Sequence, residues 1–152
     1  LLLVILSVFF VIIFFIDLKH FIIPNSLTFP LMFIGFIKSF DPNLDNFLFP
    51  NYINSLIGGV IGYLIIWLII FVYKKVRNKE GMGLGDAKLL SAIGFWFGWV
   101  SIPFVLFLSS VIALGLSLPS LINKSKNLSS QIPFGPYIIL GITLYVFIKH
   151  MI

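Results

Sequence analysis

The stretch Gly81-Met82-Gly83-Leu84-Gly85-Asp86-Ala87-Lys88 opens directly onto an apolar run that starts at Leu89-Leu90. Glycine inside an element costs about 0.5–1 kcal/mol relative to alanine, so three within five residues mark a backbone that bends or is closely approached. A carboxylate at the edge of an apolar helix is a functional candidate whose partner must be sought. Asp86 is therefore the residue around which the rest of the chain is read.

The 152 residues are 60% hydrophobic and only 10% charged, with a mean hydropathy of +1.14. Soluble domains carry about 25% charged residues. No soluble core of this size hides so much apolar surface, so the chain reads as a membrane protein whose surroundings are a lipid bilayer. Long apolar runs without strand alternation favour helices over a barrel. The fold class is thus all-α, a polytopic membrane protein of about six transmembrane helices forming one domain over 1–152. The net charge of +5 is carried by bases set between apolar segments, a pattern that sets topology and does not suit nucleic acid. There is no cysteine, which removes disulfides, thiolate metal sites and cysteine nucleophiles. Position 1 is leucine inside an apolar run, so the first helix reads as shortened at its start. Nothing there resembles a signal peptide.

The first apolar run, Leu1 to Ile16, ends at Asp17-Leu18-Lys19-His20. Pro24 disfavours helix at Ile23, placing a bend before a second helix from about Leu27 to Ile37 or Phe40, capped by Asn25 or Ser26. Asp41 to Pro50 reads as a polar loop. A third helix from about Ile53 to Tyr73 carries Gly58, Gly59 and Gly62, small residues that let another helix approach within or between chains. The basic segment Lys74 to Glu80 leads into the glycine stretch. A fourth helix from Leu89 to Phe97 stops at Gly98-Trp99, and a fifth runs from about Ile102 to Leu118, ahead of Pro119. Trp96 and Trp99 suit a membrane interface. Gln131 to Tyr137 leads into a sixth helix ending near Lys149-His150.

Six spans place Asp17–Asn25, Lys74–Lys88 and Asn123–Pro133 on one side. That side holds Lys19, Lys74, Lys75, Arg77, Lys79, Lys88, Lys124 and Lys126, eight of the ten bases. Positive residues favour the cytoplasm, so Asp17, Asp86 and the Pro-Phe-Gly-Pro stretch at 133–136 are expected together at the cytoplasmic face.

Of the five acidic residues, Asp41 and Asp45 read as solvated turn residues, and Glu80 as a surface charge among Lys79 and Arg77. Asp17 and Asp86 each end an apolar helix on the same side. Two neighbouring carboxylates in a partly dry site share a proton, and such a pair can activate a water and protonate a leaving amine. It titrates as a unit, so acid and base stay unassigned. The competing account pairs each aspartate with Lys19 or Lys88 as a helix cap; the glycines weigh against it, because a cap does not need three of them. Gly81-x-Gly83-x-Gly85 lacks dinucleotide-loop spacing. His20 and His150 fall on opposite sides, and two aspartates are too few for a hard cation, so neither metal nor cofactor is expected. A proton- or cation-coupled transporter would place its carboxylates nearer the bilayer midplane.

Three blocks resemble the type IV prepilin peptidases, membrane aspartyl proteases of the GxGD class. Asp17-Leu18-Lys19-His20-Phe21-Ile22-Ile23-Pro24-Asn25 is similar to the family's first aspartate motif. Gly81 to Leu89, continuing through Ser91-Ala92-Ile93-Gly94 to Gly98-Trp99, is similar to its second. Ile132-Pro133-Phe134-Gly135-Pro136 resembles its C-terminal element. A bare GxGD also occurs in presenilin-like intramembrane proteases; the three blocks in order are far more specific. The resemblance implies an inner-membrane enzyme that cleaves the basic leader of type IV prepilins or pseudopilins, after a glycine, at the cytoplasmic face. It implies Asp17 and Asp86 as the catalytic pair. Gly81, Gly83, Gly85, Lys88, Pro24, Pro133, Phe134, Gly135 and Pro136 would shape the site or bind substrate. Many bacterial members also carry paired CxxC motifs and methylate the new N-terminus; these residues contain no such motif. Shorter archaeal relatives process preflagellins, the alternative substrate class.

Overall fold

A computed structural model describes residues 1–20, 22–44, 50–77, 84–122 and 134–151. They form six helices, α1 (Leu2–His20), α2 (Asn25–Lys38), α3 (Tyr52–Arg77), α4 (Leu84–Phe97), α5 (Ser101–Ile122) and α6 (Gly135–Met151), with a short 3-10 turn at Pro42–Leu44. No strand occurs among the described residues. The all-α membrane class is thereby established. Three helices are long and apolar enough to cross a bilayer, over Leu2–His20, Tyr52–Val76 and Ser101–Pro119. The other three have 14, 14 and 17 residues, fewer than the roughly 20 that a full span takes.

The long helices turn large apolar side chains outward, among them Phe15, Phe71 and Phe107, as a lipid-facing surface requires. α4 is the opposite case. Leu89, Leu90, Ala92, Ile93 and Trp96 are all fully buried, so no stripe of this helix is left for lipid. It packs on α2, α3, α5 and α6, while α5 lies on α6, α6 on α1 and α1 on α2, so the other helices encircle it.

Contact between α3 and α4 is made by backbone. A Cβ at Gly58 would stand 2.5 Å from the Gly94 carbonyl, and one at Gly62 would stand 2.7 Å from the Leu90 carbonyl. Ser91 Oγ donates to the Gly59 carbonyl at 2.8 Å, and Ser55 Oγ donates to the Phe95 carbonyl. Small residues that admit a close backbone and serines that bridge it are the means by which helices associate where the hydrophobic effect is weak.

Several boundaries differ from the sequence reading. α2 starts at Asn25 behind Pro24, with no side-chain capping bond, so neither Asn25 nor Ser26 caps it. α3 continues to Arg77, taking in part of the basic segment. α4 starts at Leu84, five residues before the expected Leu89, so Gly85 to Lys88 are helical. α5 runs through Pro119 to Ile122. Trp96 is not an interface residue. It is fully buried, its Nε1 donates to the Leu31 carbonyl at 2.8 Å, and Gly35 leaves room for the ring. Trp99, by contrast, is half exposed. Gly98, with φ of +85, makes the sharp turn between α4 and α5.

The helix ends sort into two groups. Asn25 at the start of α2 meets Lys88 at the start of α4, and Gly135 at the start of α6 meets Asp17 at the end of α1. At the far end, Lys38 closes α2 and donates from Nζ to the Trp96 carbonyl at 2.9 Å. Helices therefore alternate in direction, and the starts of α2, α4 and α6 share one end with the close of α1. Overpacking a close contact costs about 1–3 kcal/mol, so Gly58→Ala should lower stability in detergent by that order. Gly115 has nothing within 4 Å of a Cβ, so Gly115→Ala should be neutral or stabilise by up to about 1 kcal/mol. Reversible unfolding of the two variants, measured side by side, checks the contrast.

Candidate active site

Asp17 lies in the last turn of α1 and Asp86 in the first turn of α4. Both are buried, at 4% and 8% exposure. A charged residue almost never enters an interior without a compensating partner. Lys19 is exposed while Asp17 is buried, and Lys88 turns elsewhere: its Nζ donates to Asn25 Oδ1 at 2.7 Å. The local-lysine account of the aspartates thus lacks support at both residues.

What Asp86 does meet is the charge of Asp17. Burial first, and then that charge, push the Asp86 carboxyl up to about 7. Asp17 Oδ2 is buried and has no hydrogen-bond partner among the described residues. The backbone amide of Gly135 is the polar group that acts on the Asp17 carboxylate. This residue admits no side chain, since a Cβ there would collide with Asp17 Oδ2 and reach 3.1 Å from Ile23 Cδ1.

Ile23 is the apolar member of the cluster. A Cβ at Gly85 would stand 3.0 Å from Ile23 Cβ, so this side chain fits between the glycine-marked starts of α4 and α6. Pro24 follows with φ of −68 and ψ of 136, an extended conformation that turns the chain from the α1–α2 connection into α2. Pro136 is buried at the second position of α6, where its fixed φ suits a helix start and its missing N–H costs nothing. Phe134 is half-buried against the core and edge-on to Tyr137 at 6.4 Å.

Of the residues singled out in the sequence, Asp17, Asp86, Pro24, Gly85, Lys88, Phe134, Gly135 and Pro136 thus collect at one end of the bundle. Gly81, Gly83 and Pro133 lie outside the described residues. Ile23 and Asn25 belong to the same cluster and were not singled out. Ile23 carries no polar signal, and Asn25 after Pro24 reads as a helix cap. Among the described residues no three His, Cys, Asp or Glu side chains gather in one place. The arrangement offers two opposed carboxyl groups on separate helices, with a backbone amide at one of them. That is the equipment for moving a proton to and from a water and an amide bond.

The model of the type IV leader peptidase family matches residues 4–118. Three similar proteins are each named prepilin leader peptidase/N-methyltransferase. One from Aeromonas hydrophila is 39% identical over 126 residues, covering 82% of this chain and 41% of the relative. One from Stutzerimonas stutzeri is 40% identical over 124 residues, covering 81% and 41%. One from Xanthomonas campestris pv. campestris is 38% identical over 135 residues, covering 89% and 45%. The chain spans less than half the length of these relatives. No solved structure gives a significant match. With most of the chain matched by the family model and by these relatives, the protein belongs to the type IV leader peptidase family.

Proposed function

We propose that this chain is a membrane aspartyl endopeptidase that removes the basic leader of type IV prepilin or pseudopilin precursors, cutting after a glycine at the cytoplasmic face of the inner membrane. The observation that carries the reading is the meeting of Asp17 and Asp86, buried and electrostatically coupled, on two different helices. The relatives are named for leader cleavage. The second activity in those names, N-methylation, is not proposed for these residues.

In this mechanism the pair carries one proton. The ionised carboxylate takes a proton from a water held between the two groups, and the water oxygen attacks the scissile carbonyl carbon. The other carboxyl gives its proton to the carbonyl oxygen, forming a neutral gem-diol. As the C–N bond breaks, the diol returns a proton to one carboxylate, and the nitrogen takes the proton held by the other. The products are a carboxylic acid and an amine, and the pair again holds one proton. The exchange needs one acid and one base, and two carboxylates of separated affinity provide them. Gly85 and Gly135 shape the site by keeping Cβ atoms out of it, and Pro24, Phe134 and Pro136 frame it. Gly81, Gly83 and Pro133 are assigned to the same role by their motifs alone.

Removing either proton-transfer group should cost at least ~100-fold in rate. Asp17→Asn and Asp86→Asn are therefore expected to abolish cleavage of a purified prepilin in detergent while inserting and folding normally. Wild-type rates in either variant would overturn the assignment.

A pH profile tests the shared proton. The Asp86 affinity is raised, so its proton is held below about pH 7 and lost above it. Once both carboxylates are ionised the pair has no acid. Single-turnover cleavage should decline as pH rises through about 7. A rate that stays flat to pH 9 would contradict the mechanism.

A further inference from the structure

Lys88 and Asn25 form a contact at the mouth of the cluster that no step of the proposed chemistry uses. Lys88 sits two residues after Asp86 in the first turn of α4, and Asn25 is the first residue of α2. The 2.7 Å hydrogen bond between them crosses the exposed rim of the site, with the Lys88 ammonium also 5.4 Å from the Phe29 ring centroid. Beneath this rim, Ile23 presses against Gly85 and Gly135. Ile23 and Asn25, on either side of Pro24, thus both touch the start of the helix that carries Asp86.

Away from this rim, the same two helices are also joined by Lys38 of α2 on the Trp96 carbonyl of α4 and by the Trp96 indole on the Leu31 carbonyl of α2. Both contacts are buried. They involve Trp96, near the far end of α4 from Asp86, so they do not themselves hold the first turn of α4. A helix's first turn has amides without intrahelical partners and opens readily. Asp86 is in that turn, directly after a glycine. Something at this end must hold it against Asp17.

We propose that the Lys88–Asn25 hydrogen bond is a clasp that pins the first turn of α4 to α2 and so sets the position of Asp86 relative to Asp17, making Lys88 and Asn25 positioning residues. The proposal rests on the reading of the two aspartates as the reacting pair. It differs from two other roles for an exposed lysine beside a site. A lysine that binds substrate directly would act without Asn25, and one that is merely solvated would matter to nothing.

The experiment uses Lys88→Met, Asn25→Ala, their double variant and Asn25→Asp in the full chain. Cleavage of a leader-bearing prepilin is followed in detergent, together with hydrogen exchange of the amides of residues 88–90, which donate to the carbonyls of the first turn. A small misplacement of a reacting group costs up to about a hundredfold; here each single variant should lower kcat by about tenfold and leave KM within about twofold. Partners in one contact are not additive, so the double variant should be no slower than either single one. Exchange at 88–90 should accelerate to the same extent in all three. Asn25→Asp keeps an acceptor for Lys88 and should retain both rate and protection. A raised KM with unchanged kcat, additive losses in the double variant, or unchanged exchange in Asn25→Ala would each overturn the clasp. Exchange needs no substrate, so it reads the clasp separately, whereas failure of the wild type to cut prepilin would count against the proposed function.

Discussion

Burying Asp17 beside Asp86 puts two like-charged groups into a poorly hydrated space, which is stable only while a proton is shared or a donor answers the charge. The bundle supplies a donor at Asp17. The two residues come from helices that run in opposite senses, so the last turn of α1 and the first turn of α4 arrive at the same end. The first amide of α6 then reaches Asp17 through the gap that only a glycine at position 135 leaves. A helix start is a favourable neighbour for a carboxylate because its amides lack partners and its dipole is positive there. Asp86 gains the same benefit from the first turn of its own helix.

Such a contact depends on where α4 sits. This helix is short and enclosed, and its position follows from backbone approach more than from interlocking side chains. Gly58, Gly62 and Gly94 let α3 touch it, while Ser55 and Ser91 bond across the seam. On the other flank, Gly35 admits Trp96, whose indole N–H is satisfied by α2. Lys38 completes this side by donating to the carbonyl end of α4, the negative pole of the helix, with its ammonium 5.3 Å from the Trp96 ring. A helix so enclosed has little lateral freedom.

The helical class, the order of the six helices and the convergence of Asp17, Asp86 and the Phe134-Gly135-Pro136 element were legible from apolar runs, glycine placement and the distribution of bases. Those signals are local, and they count residues along the chain. What they missed depends on partners far away in sequence. Trp96 resembles an interface residue until Gly35 and the Leu31 carbonyl are seen to receive it. Asn25 resembles a cap until Lys88, 63 positions on, is seen to claim its side chain. The start of α4 at Leu84 was hidden because glycine weakens the helical signal at the place where tertiary packing supplies the stability. Ile23 gives no signal of its own, since an isoleucine before proline looks like any bend residue.

The central claim is that the two aspartates act as one coupled unit, and infrared titration of their carboxyl groups tests it most directly. The protonated carboxyl band of Asp86, identified by its loss in Asp86→Asn, would be followed against pH in wild type and in Asp17→Asn. The account predicts that the wild-type band disappears near pH 7. It also predicts a lower midpoint in Asp17→Asn, because the neighbouring charge is gone. An Asp86 midpoint that does not move when Asp17 is neutralised would mean that the carboxylates do not sense each other, and the shared-proton site would be refuted.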